Sequence, residues 1–90
     1  MTVQQISQKL CLPTSETLIP NYLAKSKTGA LPSANSGKLI LAQVAQGHAK
    51  KWHSLSSAYA AQGEFRLADD LQQEGHALER VAEDLWEQIM

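Results

Sequence analysis

Along the second half of the chain, apolar residues recur every three or four positions, the period of one helix face. Between Lys38 and Ala61, Leu41, Ala45, His48, Trp52, Leu55 and Tyr59 fall on one seam, with a row of small residues, Ala42, Ala49 and Ser56, beside it. Gln62 and Gly63 interrupt the run, and glycine is the usual residue for a left-handed helix stop. From about Glu64 to Gln88 the pattern tightens into a heptad. Ala68, Gly75, Ala82 and Ile89 alternate with Leu71, Leu78 and Leu85, while Leu67 and Val81 widen the stripe beyond a bare coiled-coil seam. Small residues let two helix axes approach closely, so the spacing predicts an antiparallel helical hairpin with a tight turn. Each helix is expected to be roughly 35–40 Å long at ~1.5 Å per residue.

Before residue 36 the pattern is different. Short apolar clusters are broken by Pro13, Pro20 and Pro32, and no proline follows. Val3, Ile6 and Leu10 predict one short helix. Leu18, Ile19, Tyr22 and Leu23 predict another, beginning near Thr14 or Ser15, with Pro20 either kinking it or marking its first turn. The stretch KTGALPSANSG, residues 27–37, reads as a loop, and Ser36 as the N-cap of the first long helix. The expected fold is all-α, one helical domain over residues 1–90. Residues 1–35 hold the short N-terminal helices and loop, packed on a hairpin formed by residues 36–90.

Ninety residues bury a modest core, so self-association or a partner is expected to matter. Composition is that of a folded domain, with 43% hydrophobic and 19% charged residues. Lone Cys11 excludes an intrachain disulfide. MTVQQISQKL lacks the apolar core of a signal peptide, and no apolar run approaches the length of a membrane span, so a cytoplasmic setting is expected. The net charge of −1 conceals an asymmetry. Residues 1–62 carry six lysines against Glu16, a net +5, whereas residues 63–90 carry two arginines against eight acidic residues, a net −6. Blocks of opposite sign either face each other or present different surfaces to partners. Glu64, Asp69 and Asp70 are expected in the first turns of the second long helix, where the macrodipole favours anions.

Trp52, Leu55, Ser56, Tyr59, Gly63, Phe65, Ala68 and Gly75 resemble the tetratricopeptide-repeat pattern of W-x₂-L-G-x₂-Y, a turn glycine, an aromatic and a small residue at the helix crossing. The likeness spans residues 52–75, one repeat at most. Gln72 stands where the family has an aromatic, and Arg80 where its proline ends the second helix. The resemblance implies hairpin geometry and a tendency to bind proteins or helices. Read without the family, the same residues describe any hairpin that needs small side chains at its crossing. A second resemblance covers residues 3–38. Val3, Ile6, Ser7, Leu10, Cys11, Leu12, Thr17, Leu18 and Leu23 are similar to the helix-turn-helix of excisionase-like winged-helix regulators, and GALPSANSGK to their wing. Cys11 replaces the turn glycine, an extra residue precedes Thr17, and Pro20 falls within the recognition helix. Lys9, Lys25, Lys27 and Lys38 supply its cations, few for duplex binding.

Candidate chemistry is sparse, and no catalytic, cofactor-binding or metal residue is expected. His48 and His53 are five apart, about 140° around a helix. His76 and Glu79 have the i, i+3 spacing of a metal pair, yet Gln73 occupies the position of the glutamate in a Glu-x-x-His motif. His48, if buried opposite an acid, would sense pH near 6–7. Cys11 lacks an activating base, and Ser54, Ser56 and Ser57 beside His53 form no triad pattern. Trp52, Tyr59 and Phe65 are expected in the core, and Trp86 either covers the N-terminal helices or anchors a partner. The functional expectation is a non-enzymatic protein–protein interaction or assembly factor acting as a homodimer. Leu78, Leu85, Trp86 and Ile89 would form its contact, with Glu83 and Glu87 setting the partner's sign. The alternative is a small helix-turn-helix DNA-binding regulator dimerised by its hairpin; a membrane partner is not expected.

Overall fold

The small residues at the predicted crossing do bring two long helices together. A computed structural model describes residues 1–26 and 29–89; Lys27 and Thr28 of the expected loop, and Met90, lie outside the described residues. Four helices run in order: α1 (Val3–Leu10), α2 (Leu18–Lys25), α3 (Asn35–Ala61) and α4 (Phe65–Ile89). The fold is all-α, with α3 and α4 packed extensively as the hairpin and α1 lying against α4. Gly63 makes the turn at φ 84°, and the Glu64 amide reaches back to the Tyr59 carbonyl at 3.0 Å. Only a residue without a Cβ takes that backbone conformation at little cost.

Ala42, Ala45, Ala49 and Ser56 on α3, with Ala68, Gly75 and Ala82 on α4, are all buried. The Ser56 hydroxyl donates to the Ala68 carbonyl at 2.6 Å, tying the two helices near the turn. Around this seam the larger side chains of Leu41, Trp52, Leu71, Leu78 and Leu85 complete the core, and Ile6, Leu12 and Leu18 close it from the N-terminal segment. The Cα envelope measures 44 × 26 × 13 Å, so the core is thin along one axis. Leu67, Val81, Leu55 and Tyr59 pack half-buried at its border.

Several local expectations are corrected. α3 starts at Asn35 behind Ala34, whose side chain cannot cap, rather than at a Ser36 N-cap. Pro32 sits so close to Gly37 that a Cβ there would lie 2.6 Å from the Pro32 Cβ. That proline seats on the first turn and draws the helix start upstream. α2 begins at Leu18, later than expected, because the Thr14 amide donates to the Thr17 hydroxyl at 2.9 Å and residues 14–17 form a turn of their own. Pro20 therefore falls in the first turn of α2, where its missing amide has no helical partner to lose.

Leu10 is exposed and Leu12 takes its place in the core. The cause is Cys11, which ends α1 in the left-handed region at φ 53°. With the chain reversed there, the Leu12 amide reaches the Ser7 carbonyl at 3.0 Å, and the Ser7 hydroxyl donates to the Leu12 carbonyl at 2.6 Å. Phe65, expected in the core, is 72% exposed at the first position of α4. The first turn of α4 holds no acid: Glu64 precedes it and Asp69 and Asp70 follow it.

Trp52 joins the two halves of the chain. It is fully buried, and its indole N–H donates to the Pro13 carbonyl at 2.9 Å. A second link runs from the Ser15 amide to the Glu74 carboxylate. Replacing Trp52 by Phe should leave the Pro13 carbonyl without its donor and a void beside it, lowering unfolding free energy by about 2–4 kcal/mol. Urea denaturation of the variant reads this directly; a loss below about 1 kcal/mol would show that the bond does not hold the N-terminal segment down.

Candidate functional site

Two of the exposed apolar side chains lie together on one helix, beside a groove where two helices meet. Ile40 and Val44, one turn apart on α3, are 62% and 40% exposed. They border a groove of about 380 Å³ between α2 and the first half of α3, whose other walls include Pro13, Leu18, Tyr22 and Leu41. Lys25 stands at its rim. This face arises because α2 is short and covers only part of the outer side of α3.

The residues expected to meet a partner divide. Leu78 and Leu85 are buried within this chain, because the leucine positions of the heptad face α3. That placement corrects the expectation that they are free for contact. Trp86 packs half-buried against the core, Ile89 is half-buried near the end of α4, and Glu83 and Glu87 are exposed. In an antiparallel hairpin the end of α4 lies beside the beginning of α3, so Trp86 and Ile89 share the open end with Ile40.

His48 lies between this groove and a second cleft of about 500 Å³ beneath the α1–α2 connection, lined by Leu12, Cys11, Lys51 and Leu55 among others. It is half-buried, and its Nδ1 is a buried atom with no hydrogen-bond partner among the described residues. The acidic neighbour required for a neutral-pH sensor is replaced by a cation. Burial first, and the charge of Lys51 second, hold the imidazole pKa below its ordinary 6.5.

Sequence reasoning missed one arrangement that spans both long helices. His53 on α3 is brought to His76 and Glu79 on α4, with its Nε2 hydrogen-bonded to a Glu79 oxygen. The other Glu79 oxygen lies 3.8 Å from His76 Nδ1, and the two imidazole rings meet edge to face with centroids 4.9 Å apart. The Glu79 carboxyl is held below the ordinary range, first by the His53 hydrogen bond. The i, i+3 pair was visible in the sequence, but its third member needed the register about Gly63, which sets His53 and Gly75 opposite each other. Among the described residues the ion pairs within reach involve these histidines, and no lysine of α3 pairs with an acid of α4.

Residues 35–38, which the winged-helix resemblance assigns to a wing, open α3, and no strand occurs among the described residues. Nor is any helix of the described residues long and apolar enough to cross a membrane. No protein-family model, curated protein or solved structure matches the chain.

The His48 environment makes a signed prediction. A pKa below 6.5 in the folded state means that the unfolded chain binds the proton more readily, so stability contributed by this residue is full above 6.5 and declines as pH falls. His48→Leu should therefore reduce the loss of stability between about pH 7.5 and about pH 5 relative to the parent, measured by urea midpoint at each pH. An unchanged or steeper loss would show that His48 is not a source of the acid sensitivity.

Proposed function

We propose that the chain is a small non-enzymatic assembly factor that works as a homodimer, two copies meeting across the α2–α3 groove and the open end of the hairpin. The observation that carries this reading is the exposure of Ile40 and Val44 beside an apolar groove. Two large aliphatic side chains one turn apart lose apolar hydration only when something covers them. A thin domain gains from a second copy, since a shared contact adds burial to the modest core of 90 residues.

The charge pattern supports a two-fold arrangement. Lys25 at the groove rim and Lys38 in the first turns of α3 belong to the basic part of the chain, while Glu83 and Glu87 are exposed near the end of α4. In an isologous contact, lysines of one copy meet the acidic end of the other. Trp86 and Ile89 then act as half-exposed anchors at the margin.

A second reading, a helix-turn-helix regulator dimerised by the same hairpin, is supported by two details. Cys11 adopts a left-handed conformation where the excisionase-like pattern has its turn glycine, and Thr17 stands immediately before α2.

Light scattering on the purified chain should give twice the monomer mass. Ile40→Glu should weaken association by about 100-fold or more while leaving helicity unchanged, because the side chain is already exposed in the single chain. A monomeric parent at ~100 µM, or a variant that remains dimeric, overturns the proposal. Retention on duplex DNA at two salt concentrations addresses the second reading. Binding that weakens steeply with salt supports it, and no retention at low salt removes it.

A further inference from the structure

A glycine within a helix of 25 residues costs about 1 kcal/mol relative to alanine, so Gly75 calls for a local reason. A Cβ at Gly75 would lie 2.7 Å from His53 Cε1, 2.8 Å from Nε2 and 2.9 Å from Nδ1. The imidazole of His53 thus occupies the space that any other residue's side chain would claim. From that seat its Nε2 reaches Glu79, one turn further along α4, on the side where His76 also stands.

Two imidazoles and a carboxylate from separate turns are the donor set of zinc sites that keep a position open for water. One ligand atom each from His53, His76 and Glu79 already lies within 4.8 Å of the others. A metal about 2.0–2.2 Å from each donor requires donor separations of roughly 3.3 Å, so the needed contraction is about 1.5 Å at most. His76 and Glu79 have side chains 52% and 43% exposed, free to change rotamer, whereas His53 is placed by Gly75. Glu79 also lines an adjoining cleft with Ala49, Lys50 and Glu83, so its carboxylate is open to water on one side.

We propose that His53, His76 and Glu79 form a surface site for a divalent transition metal of the zinc class, clipping α3 to α4. The metal replaces the hydrogen bond between His53 and Glu79: His53 binds as neutral imidazole through the Nε2 lone pair with its one ring proton on Nδ1, Glu79 binds as the carboxylate, and water completes the coordination shell. Zinc, cobalt, nickel and copper suit imidazole with carboxylate, whereas calcium and magnesium prefer sets made of oxygen. The site does not depend on dimerisation, since all three donors come from one hairpin.

The test uses the full chain stripped with chelator, then titrated with Zn²⁺ by calorimetry and with Co²⁺ by visible absorption. One ion should bind per chain with a Kd on the order of micromolar, and the Co²⁺ spectrum should carry the intensity of a low-coordinate site. His76→Ala and Glu79→Gln, both at partly exposed positions, should each weaken binding by at least ~10-fold. Gly75→Ala, which removes no donor but displaces the His53 ring, should do the same. His48→Leu and Cys11→Ser should leave affinity unchanged. No saturable binding of either ion below ~100 µM overturns the proposal, as does binding that survives in His76→Ala and Glu79→Gln with undiminished affinity.

Discussion

The close approach of α3 and α4 along their small residues is the constraint on which the rest depends. Where Ala42, Ala45 and Ala49 stand against α4, and Ala68, Gly75 and Ala82 against α3, the axes come near enough for the Ser56 hydroxyl to reach a carbonyl of the neighbouring helix. Small side chains alone bury little area, so the hairpin needs larger ones beside the seam. Trp52, Leu71 and Leu78 fill that role, and each is fully buried. They leave one open flank, which Ile6, Leu12 and Leu18 cover. The short N-terminal helices are thus a lid over a core that the hairpin starts and cannot finish.

How much of this was legible depends on how far each determinant acts along the chain. The hairpin rests on local signals, a heptad of small residues and leucines and a glycine stop, and these placed the α3–α4 turn and nearly every core position of both helices. The N-terminal third rests on single backbone events. A left-handed Cys11 shifts the core position from Leu10 to Leu12, a threonine hydroxyl delays α2, and a proline against Gly37 advances α3. None of these leaves a periodic trace. Phe65 misled for another reason: at the first position of a helix after a tight turn, its direction is set by the turn rather than by the stripe. His53, His76 and Glu79 became a group only when two helices were laid in register, because spacing on one helix cannot report a neighbour from the other.

The charge division along the sequence also takes on spatial meaning. The lysines of α3 make no close ion pair with an acid of α4 among the described residues, although Lys50 shares a cleft with Glu79 and Glu83. Exposed Glu83 and Glu87 near the end of α4 keep their charge accessible at the surface. That is consistent with a thin domain that leaves Ile40 and Val44 uncovered, and it separates the acidic end of α4 from the histidine group nearer its middle.

The bond from Trp52 to Pro13 bears on the order of events in folding. Its partners are 39 residues apart in the sequence, and those of the Ser15–Glu74 bond 59 apart, whereas the Ser56–Ala68 bond spans 12. Closing a longer loop costs more entropy, and the hairpin can zip outward from Gly63 through successive short closures. The N-terminal segment is therefore the last part to settle and the first to lift. When it lifts it bares Trp52, so the indole is a native fluorescence reporter of partial opening, with amides of α1 and α2 exchanging faster than those at the hairpin seam.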